Sequence, residues 1–424
     1  MAKTVPLDGP ALVYAREVFR RYYASARIPP PPRFARREFA AFPFARESLM
    51  RRHASFRSAE EFRAYFPREV PRHVYYSSAY YREPDHPKME QKEWLGADLI
   101  FDLDADHLRG AESLGYVAQL ARVKERTQSL LDDFLFGDFG IDPRETTLAF
   151  SGGRGYHVHV HDERFLSLTS PERRELVEYV LGAGFDPSTA IVSRRDDGAG
   201  ATSEGQASGG GPDGPTGRGS HRARVFRALP SPAAPGWAGR TTRAVLKLLE
   251  RWQLEGPKVA TAELEASGVP PARARVLAHQ LLKEGVADQI RGSLSLEVFP
   301  RGLPGEFLTH VLARAAIEVQ GETDAPVTTD IHRLIRLPES LHGGTGFRVV
   351  PLAFDALAAF DPFADAVVAD SGATVRIRLN GPVDYPFQPG RVVGDAGATL
   401  ELPDAPAVFL VMRGEAELLP SPGP

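Results

Sequence analysis

Asp102 and Asp104 stand two positions apart in the segment ADLIFDLDADHL. The apolar residues from Leu99 to Leu103 predict a buried strand, on which side chains two apart point to the same face. Two ionised carboxylates on one buried face repel each other unless a cation lies between them, and Mg²⁺ or Mn²⁺ prefers such oxygen ligands. The pair therefore predicts a divalent-metal site, although acids at an exposed strand end would give the same short motif.

The segment SGGRGYHVHV, residues 151–160, combines a glycine-rich turn, an arginine and a strand. The backbone N–H groups of Ser151 and Gly152 can approach an anion closely, and Arg154 adds a planar set of hydrogen-bond donors. The strand carries three alternating histidines on one face, namely His157, His159 and His161. The turn favours phosphate binding, whereas the histidines alone would also suit a zinc site or an exposed strand face.

A third segment rich in candidate ligands, DAPVTTDIHRLIRLPESLHGGTG, begins at Asp324. Arg333 and Arg336 are three residues apart and His342 precedes a Gly-Gly turn, so all three are candidate phosphate ligands. Together with the earlier aspartate pair, the segment supplies three carboxylates from distant positions and several phosphate ligands. This combination predicts two-metal nucleotidyl transfer.

The composition limits the other classes of site and of protein. The chain of 424 residues contains no cysteine, which excludes a disulfide framework, a thiolate zinc site and a cysteine nucleophile. Its 42% hydrophobic and 25% charged residues are typical of globular proteins, and its length predicts about two to three domains. No apolar run is long enough for a membrane span, and the N-terminus lacks the pattern of a secretory signal. We therefore expect a soluble, cytoplasmic protein.

The net charge of −4 is unevenly distributed along the chain. Residues 1–93 carry 18 Lys and Arg against 11 Asp and Glu, whereas residues 350–424 carry 4 against 10. In the basic region arginines are interleaved with aromatic residues, for example from Phe34 to Phe39 and from Arg51 to Arg57. This mixture suits a single-stranded nucleic acid, although an arginine-rich solvated surface would have the same composition.

Local patterns predict the elements that carry these residues. Helical spacing of apolar residues predicts a helix over residues 114–136, and residues 147–160 read as strand, glycine turn and strand. Nine glycines within residues 198–219 predict a flexible linker. The predicted organisation is a catalytic core of residues 1–195 and 301–350, a linker of residues 196–236, a helical subdomain of residues 237–300 and a β-rich closing segment of residues 351–424.

Taken together, the motifs resemble the catalytic small subunit of archaeal and eukaryotic-type DNA primases. The resemblance rests on HVYYSSAYYREPDHPKMEQKEWLGADLIFDLDADHL, SGGRGYHVHV, RLIRLPESLHGGTG and RREFAAFPF, which agree in order and spacing. It implies an α/β fold of the archaeo-eukaryotic primase type, with mixed β-sheets, flanking helices and a smaller helical subdomain. It also implies a nucleotidyltransferase that makes primers in DNA replication at the nucleoid. Its partners would be single-stranded DNA, nucleoside triphosphates and a primase large subunit, with no membrane.

The same resemblance implies roles for individual residues. Two Mg²⁺ or Mn²⁺ ions would be bound by Asp102, Asp104 and Asp324, with Asp330 as the nearby acid that the spacing does not select. The triphosphate of the incoming nucleotide would be held by Ser151, Gly152, Arg154, His157, Arg333, Arg336 and His342. Glu38, in the REF motif, is a further candidate active-site acid.

Two departures from the family pattern change these expectations. Relatives usually carry a Cys/His zinc-binding knuckle, which a chain without cysteine cannot build in that form, so no zinc is expected. Many archaeal relatives have lysine at the position of Gly344. We therefore expect weaker triphosphate binding here, unless another cation such as Arg348 reaches the site.

Other functions stay open on the sequence alone. A repair or end-joining polymerase of the same superfamily would share the paired acids and the glycine turn. A metal-dependent hydrolase would use His157, His159 and Asp102. A nucleic-acid-binding subunit without catalytic activity would need neither the carboxylates nor a metal.

The glycine-rich segment gives a first testable prediction. Because its composition cannot build a packed core, we expect deletion of residues 198–219 to change Tm by no more than about 2 °C. Primer synthesis should continue at the rate of the unaltered chain. Circular dichroism melting and a primer-synthesis assay measure the two quantities, and a loss of several degrees would show that the segment is part of the folded core.

Overall fold

The computed structural model describes residues 7, 9–45, 49–108, 110–196, 224–298, 307–318, 320–368, 372–388 and 390–420. The chain forms two compact units. The first, here called the discontinuous unit, comprises Met1–Leu181 and Gly321–Pro424, and the second, the inserted unit, comprises Gly182–Gln320. Within the described ranges, no helix combines the length and the apolar character that a membrane crossing requires.

The α-helices are α1 (Gly9–Ser25), α2 (Ala59–Glu69), α3 (Tyr116–Ser129), α4 (Glu163–Leu166), α5 (Ser170–Leu181), α6 (Gly236–Glu255), α7 (Pro257–Ala266), α8 (Pro271–Leu281), α9 (Val286–Ser293), α10 (Ala313–Glu318), α11 (Ala325–Thr329), α12 (Pro362–Asp365) and α13 (Asp404–Arg413). The strands are β1 (Phe39–Phe42), β2 (Arg51–Ala54), β3 (His73–Ser77), β4 (Ala79–Tyr81), β5 (Trp94–Ala97), β6 (Leu99–Asp104), β7 (Thr146–Phe150), β8 (Gly155–Val160), β9 (Val192–Asp196), β10 (Arg224–Ala228), β11 (Leu334–Arg336), β12 (Val350–Leu352), β13 (Thr374–Leu379), β14 (Val383–Tyr385), β15 (Val392–Gly394), β16 (Thr399–Pro403) and β17 (Ala416–Leu418).

One antiparallel sheet of the discontinuous unit, in the order β12-β7-β8-β6, carries the aspartate pair and the histidine strand. Its register places Asp102 opposite His157 and Asp104 opposite Gly155. A Cβ atom at Gly155 would collide with the carbonyl oxygen of Leu103. Only glycine at this position allows the two strands to approach as closely as they do.

A second antiparallel sheet, in the order β11-β3-β1-β2, brings the third motif to the same unit. Strand β11 pairs with β3 so that Arg336 lies opposite Tyr75. Residues more than 250 positions apart in the chain therefore become neighbours through backbone hydrogen bonds alone.

A buried ion pair connects the segment just before β1 to the residue just before β6. Arg37 and Asp98 are both fully buried, with Nη2 of Arg37 2.6 Å from Oδ2 of Asp98. The hydroxyl of Tyr80 donates to the other oxygen of Asp98 at 2.5 Å, and Arg37 lies 4.2 Å from the centre of the Tyr80 ring. Burial alone would raise the pKa of Asp98, but the Arg37 charge, His161 and the Tyr80 hydrogen bond together outweigh it and the pKa is lowered. Asp98 is therefore an ionised structural group at the start of β6.

The C-terminal part of the chain packs into the discontinuous unit. Strands β16, β13 and β17 form a sheet in that order, and α13 contacts all three. Helix α13 also contributes Phe409 to an aromatic cluster, where it lies 4.9 Å from Phe347 and 5.7 Å from Tyr116. The segment predicted as a β-rich closing unit thus combines strands with a buried helix and shares the core of the larger unit.

The inserted unit is mainly helical. Helices α6 to α10 surround Trp252, which is fully buried and whose Nε1–H donates to Glu263 at 2.8 Å. Strands β9 and β10 form a separate antiparallel pair. The apolar stripe of α6 explains why these helices pack together, since Val245, Leu248 and Leu249 all point into the core.

The expected α/β class is confirmed, and the sheets listed above are antiparallel throughout. The helix predicted over residues 114–136 forms as α3 followed by a π-helix over Leu130–Asp138. Much of the predicted linker, residues 197–223, lies outside the described residues. The part from Arg224 onward is not all linker, because Arg224–Ala228 forms β10 and α6 begins at Gly236.

The buried pair predicts a large loss of stability in Asp98→Asn. The substitution leaves the Arg37 guanidinium buried without a counter-charge, which costs about 3–5 kcal/mol of unfolding free energy. The matched control is Glu417→Gln, which removes the partner of Arg378 in an ion pair with both side chains more than half exposed, and we expect it to cost less than about 1 kcal/mol. Guanidinium chloride unfolding measures both, and equal losses would refute the structural role of Asp98.

Candidate active site

A cavity of about 500 Å³ in the discontinuous unit is lined by residues of β6, β8, β11 and the end of α13. Its acidic residues are Asp102, Asp104, Asp106 and Asp324, and its basic residues are His107, Arg154, His157, Arg333, Arg336, His342 and Arg413. The structure thus brings together the three predicted metal-binding acids and most of the predicted phosphate ligands.

The distant aspartate is joined to the pair by the backbone. The N–H of Asp324 donates to the carbonyl oxygen of Asp102 at 2.8 Å, and the hydroxyl of Thr323 donates to the same oxygen at 3.3 Å. Asp324 also stands at the N-terminal boundary of α11, a position that favours a negative charge. The main chain therefore fixes the position of Asp324 relative to β6 independently of any side-chain contact.

Crowding of the carboxylates changes the ionisation of Asp102. Burial, followed by the charges of Asp104 and Asp324, raises the pKa of Asp102 to about 7. Arg336 and Arg333 oppose this rise without cancelling it. A carboxylate in this state gains from any cation that binds beside it.

The donor set fits divalent ions of the magnesium type, which prefer carboxylate oxygens. Within the described ranges, no three His, Asp or Glu side chains lie close enough together to hold an ion as they stand. The raised pKa of Asp102 is the observation that indicates the fit, because burial and the neighbouring carboxylates disfavour its charged form and a bound cation would favour it. Asp102, Asp104 and Asp324 are the residues that would hold such ions.

The glycine turn is built against the third motif. Gly152 has a φ of +76°, and a Cβ atom there would lie 2.7 Å from Cβ of His342. The hydroxyl of Thr345 donates to the Gly152 carbonyl at 2.5 Å, and Gly153 N–H donates to the Ser151 hydroxyl at 3.3 Å. Ser151 and Gly152 therefore support the turn from behind, while the next residue, Gly153, lines the cavity.

The cationic side of the cavity contains polar atoms without partners. The Nε atoms of Arg333 and Arg336 are buried and make no hydrogen bond. Arg336 lies 5.6 Å from the centre of the Tyr75 ring, and Arg154 forms a close ion pair with Asp106. Unpaired buried guanidinium nitrogens are costly, and an anionic ligand in the cavity would satisfy them.

Two histidines in the cavity are neutral. Burial lowers the pKa of His157 and of His342 well below the ordinary value, with nearby charges adding to the effect. His157 Nε2 lies 3.6 Å from Oδ1 of Asp102, and its Nδ1 is buried without a partner. His342 Nδ1 lies 3.1 Å from the Thr345 hydroxyl. Both rings act as hydrogen-bonding groups rather than as charges.

Glu38, the further candidate acid of the REF motif, does not line the cavity. Its carboxylate is fully buried and accepts from Nε of Arg52 at 2.9 Å and from the backbone N–H of His53 at 3.2 Å. Lys92 Nζ lies 3.4 Å from the other oxygen. Glu38 therefore fixes β2 to β1 and to the segment before β5, and its charge is already compensated.

The histidine arrangement required for a zinc hydrolase does not form around Asp102. The His159 ring stacks on Tyr76 with centres 5.9 Å apart, and its Nδ1 lies 3.2 Å from the Tyr76 hydroxyl. His159 is buried and is not part of the cavity wall, unlike its neighbour His157. The two imidazoles therefore face different surroundings.

Sequence reasoning missed several wall residues. His107 Nε2 lies 3.5 Å from Oδ2 of Asp324, and Met412 and Arg413 enter from the C-terminal helix. Arg348, the example given of a cation that could replace the missing lysine, pairs with Glu339 at 2.8 Å and does not line the cavity. No local motif marks residue 413, which is brought here only by the packing of α13.

The sequence profile of the family described as DNA primase small subunit matches residues 101–354. The chain is 40% identical over 417 residues to the DNA primase small subunit PriS of Methanothrix thermoacetophila, covering 97% of this chain and 100% of that protein. It is 37% identical over 414 residues to the protein of the same name from Methanocella arvoryzae, covering 96% and 98%. For Archaeoglobus fulgidus the identity is 35% over 418 residues, covering 95% and 98%.

The chain belongs to the DNA primase small subunit family. Membership makes it a primer-synthesising enzyme of DNA replication, and the relatives named above are archaeal. All four aspartates of the cavity lie within the residues that match the family profile.

The crowded carboxylates of this primase subunit predict that Asp102→Asn stabilises the metal-free protein. The folded pKa of about 7 lies above the ordinary value of 3.8, so the folded protein keeps a proton that the unfolded chain has lost. The unfolding free energy of the unaltered chain therefore falls as the pH rises from about 4 to about 7. Asp102→Asn has no carboxyl group to titrate at this position, so its unfolding free energy should not fall in this way. At pH 8 the variant should therefore be about 1–3 kcal/mol more stable than the unaltered chain.

Guanidinium chloride unfolding in EDTA at pH 4 and pH 8 measures the effect. The two proteins should be similar at pH 4, where Asp102 is protonated. A difference that does not change with pH would show that the folded protein does not raise the pKa of Asp102.

Proposed function

We propose that the chain is the catalytic subunit of a DNA primase and joins nucleotides on a single-stranded DNA template by two-metal nucleotidyl transfer. The observation that supports this most strongly is the meeting of Asp102, Asp104 and Asp324, from two distant segments, in a cavity whose other wall is cationic. Mg²⁺ or Mn²⁺ bound to these carboxylates would activate the attacking 3′-hydroxyl and neutralise the leaving pyrophosphate.

The side chains of the protein itself would position the nucleotide and neutralise the charge of its triphosphate. Arg333 and Arg336 offer guanidinium groups with unused buried nitrogens to the triphosphate, and Arg154 adds a third at the glycine turn. His157 and His342 are neutral and can donate hydrogen bonds to phosphate oxygens without carrying a charge. These groups are held in place before the nucleotide arrives, so they stabilise charge in the transition state with little reorganisation.

The partners follow from the same proposal. Arginines and aromatic residues of the basic region, residues 1–93, would contact the phosphates and bases of the template strand. The relatives are named small subunits, and we extend this to a heterodimer with a primase large subunit. The complex would act on chromosomal DNA within the cell.

The test uses Asp102→Asn on poly(dT) with ATP, Mn²⁺ and no primer. We expect the unaltered chain to start primers and the variant to lose at least about a thousandfold in kcat, because metal-held charge supplies several kcal/mol of the barrier reduction. The matched control is Asp330→Asn. Asp330 is an exposed acid in the segment that carries Asp324, but it lies outside the cavity wall, so this variant should keep near-full activity.

Two outcomes would contradict the proposal. Primer synthesis by Asp102→Asn would remove the carboxylate set from the chemistry. Extension of a supplied primer without any primer-free initiation would favour a repair or end-joining polymerase of the same superfamily.

A further inference from the structure

The C-terminal helix ends at the wall of the active-site cavity. Most of α13 is buried, and its last two residues, Met412 and Arg413, line the cavity with Arg154 and Asp104. Gly414 follows with a φ of +74° and stops the helix at this point. A guanidinium from a segment beyond the matched family profile is therefore part of the wall.

The Arg413 side chain is held in a defined orientation. Its Nε and Nη2 donate to the same oxygen of Glu415, at 2.8 and 2.6 Å, and neither of these bonds uses Nη1. The guanidinium carbon lies 4.1 Å from the centre of the Tyr116 ring and 5.0 Å from that of Phe409. One-fifth of the side chain is exposed, so a cation fixed on three sides remains accessible from the cavity.

Arg413 is also connected to the glycine turn. The hydroxyl of Tyr116, on whose ring Arg413 lies, donates to the carbonyl oxygen of Gly153 at 2.6 Å. Gly153 and Arg154 are consecutive residues of the cavity wall. The C-terminal cation therefore lies against the tyrosine that supports the turn proposed to hold phosphate.

We propose that Arg413 is a nucleotide-binding residue whose guanidinium contacts the triphosphate of the incoming nucleotide. This inference rests on the function proposed above and adds to it a ligand from the C-terminal segment. Glu415 can release the guanidinium without being left unpaired, because the Tyr385 hydroxyl also donates to both of its oxygens, at 3.1 and 2.9 Å. An arginine fork suits the phosphate chain of a nucleotide better than its sugar or base.

The test compares Arg413→Met, which keeps the packing of the side-chain stem, with Arg413→Lys, which keeps the charge. The assay is poly(dT)-directed synthesis with ATP as the varied substrate and inorganic tripolyphosphate as a competitive inhibitor. We expect Arg413→Met to raise KM for ATP and Ki for tripolyphosphate by the same factor, about tenfold, with Arg413→Lys intermediate. The matched control is Arg378→Met, which removes an exposed ion pair with Glu417 in the same C-terminal region and should leave both constants unchanged.

A second measurement needs no variant. Phenylglyoxal modifies accessible guanidinium groups, and peptide mass spectrometry reports the extent at each arginine. ATP with Mg²⁺ should protect Arg413 in the unaltered chain and should not protect Arg378.

Unchanged constants in a folded Arg413→Met, or equal modification of Arg413 with and without ATP, would overturn the proposal. A rise in KM for ATP without any rise in Ki for tripolyphosphate would do the same, because it would show a packing effect on the cavity rather than a phosphate contact. An unaltered chain that joins no nucleotides, even to a supplied primer, would instead refute the proposed function, and the protection experiment would still test whether Arg413 meets the triphosphate.

Discussion

Three carboxylates that share a cavity must be balanced by positive charge, and this requirement governs the arrangement of the discontinuous unit. Asp102 and Asp104 cannot separate, because they belong to one strand, and the Asp324 N–H is bonded to the Asp102 carbonyl at 2.8 Å. The backbone thus holds the acids together, and their repulsion adds to the effect of burial in raising the pKa of Asp102 to about 7. The arrangement costs stability in the absence of a cation, as charged groups at functional sites commonly do.

The opposite wall shows the complementary arrangement. The buried Nε atoms of Arg333 and Arg336 have no hydrogen-bond partner in the protein. Burial keeps His157 and His342 neutral. A wall with more fixed positive charge would neutralise the aspartates directly and compete with metal ions for them. The neutral His157 lies 3.6 Å from Asp102, whereas the Arg154 guanidinium pairs with Asp106 and lies 3.9 Å from Asp104, so the acids differ in the charge that faces them.

The strands that carry the site were predictable because their signals are local. The apolar run before Asp102 and the turn before His157 predicted β6 and β8, and antiparallel pairing then aligned the two residues. The role of Glu38 was not predictable, because a REF motif does not reveal that Arg52 and Lys92 surround the carboxylate. Arg413 was missed for the same reason, since only the packing of α13 brings it to the cavity.

The C-terminal segment is therefore not an appendage to the catalytic core. Its Phe409 lies within 6 Å of Tyr116 and Phe347, so the helix that carries it fills the space behind the glycine turn. Tyr116 in turn donates a hydrogen bond to the carbonyl oxygen of Gly153. The geometry of the glycine turn therefore depends on the aromatic packing around Tyr116, part of which comes from Phe409, almost 300 positions later in the chain than Tyr116. Because the end of α13 forms part of the cavity wall, formation of the cavity depends on the packing of α13 as well as on the strands that carry the acids.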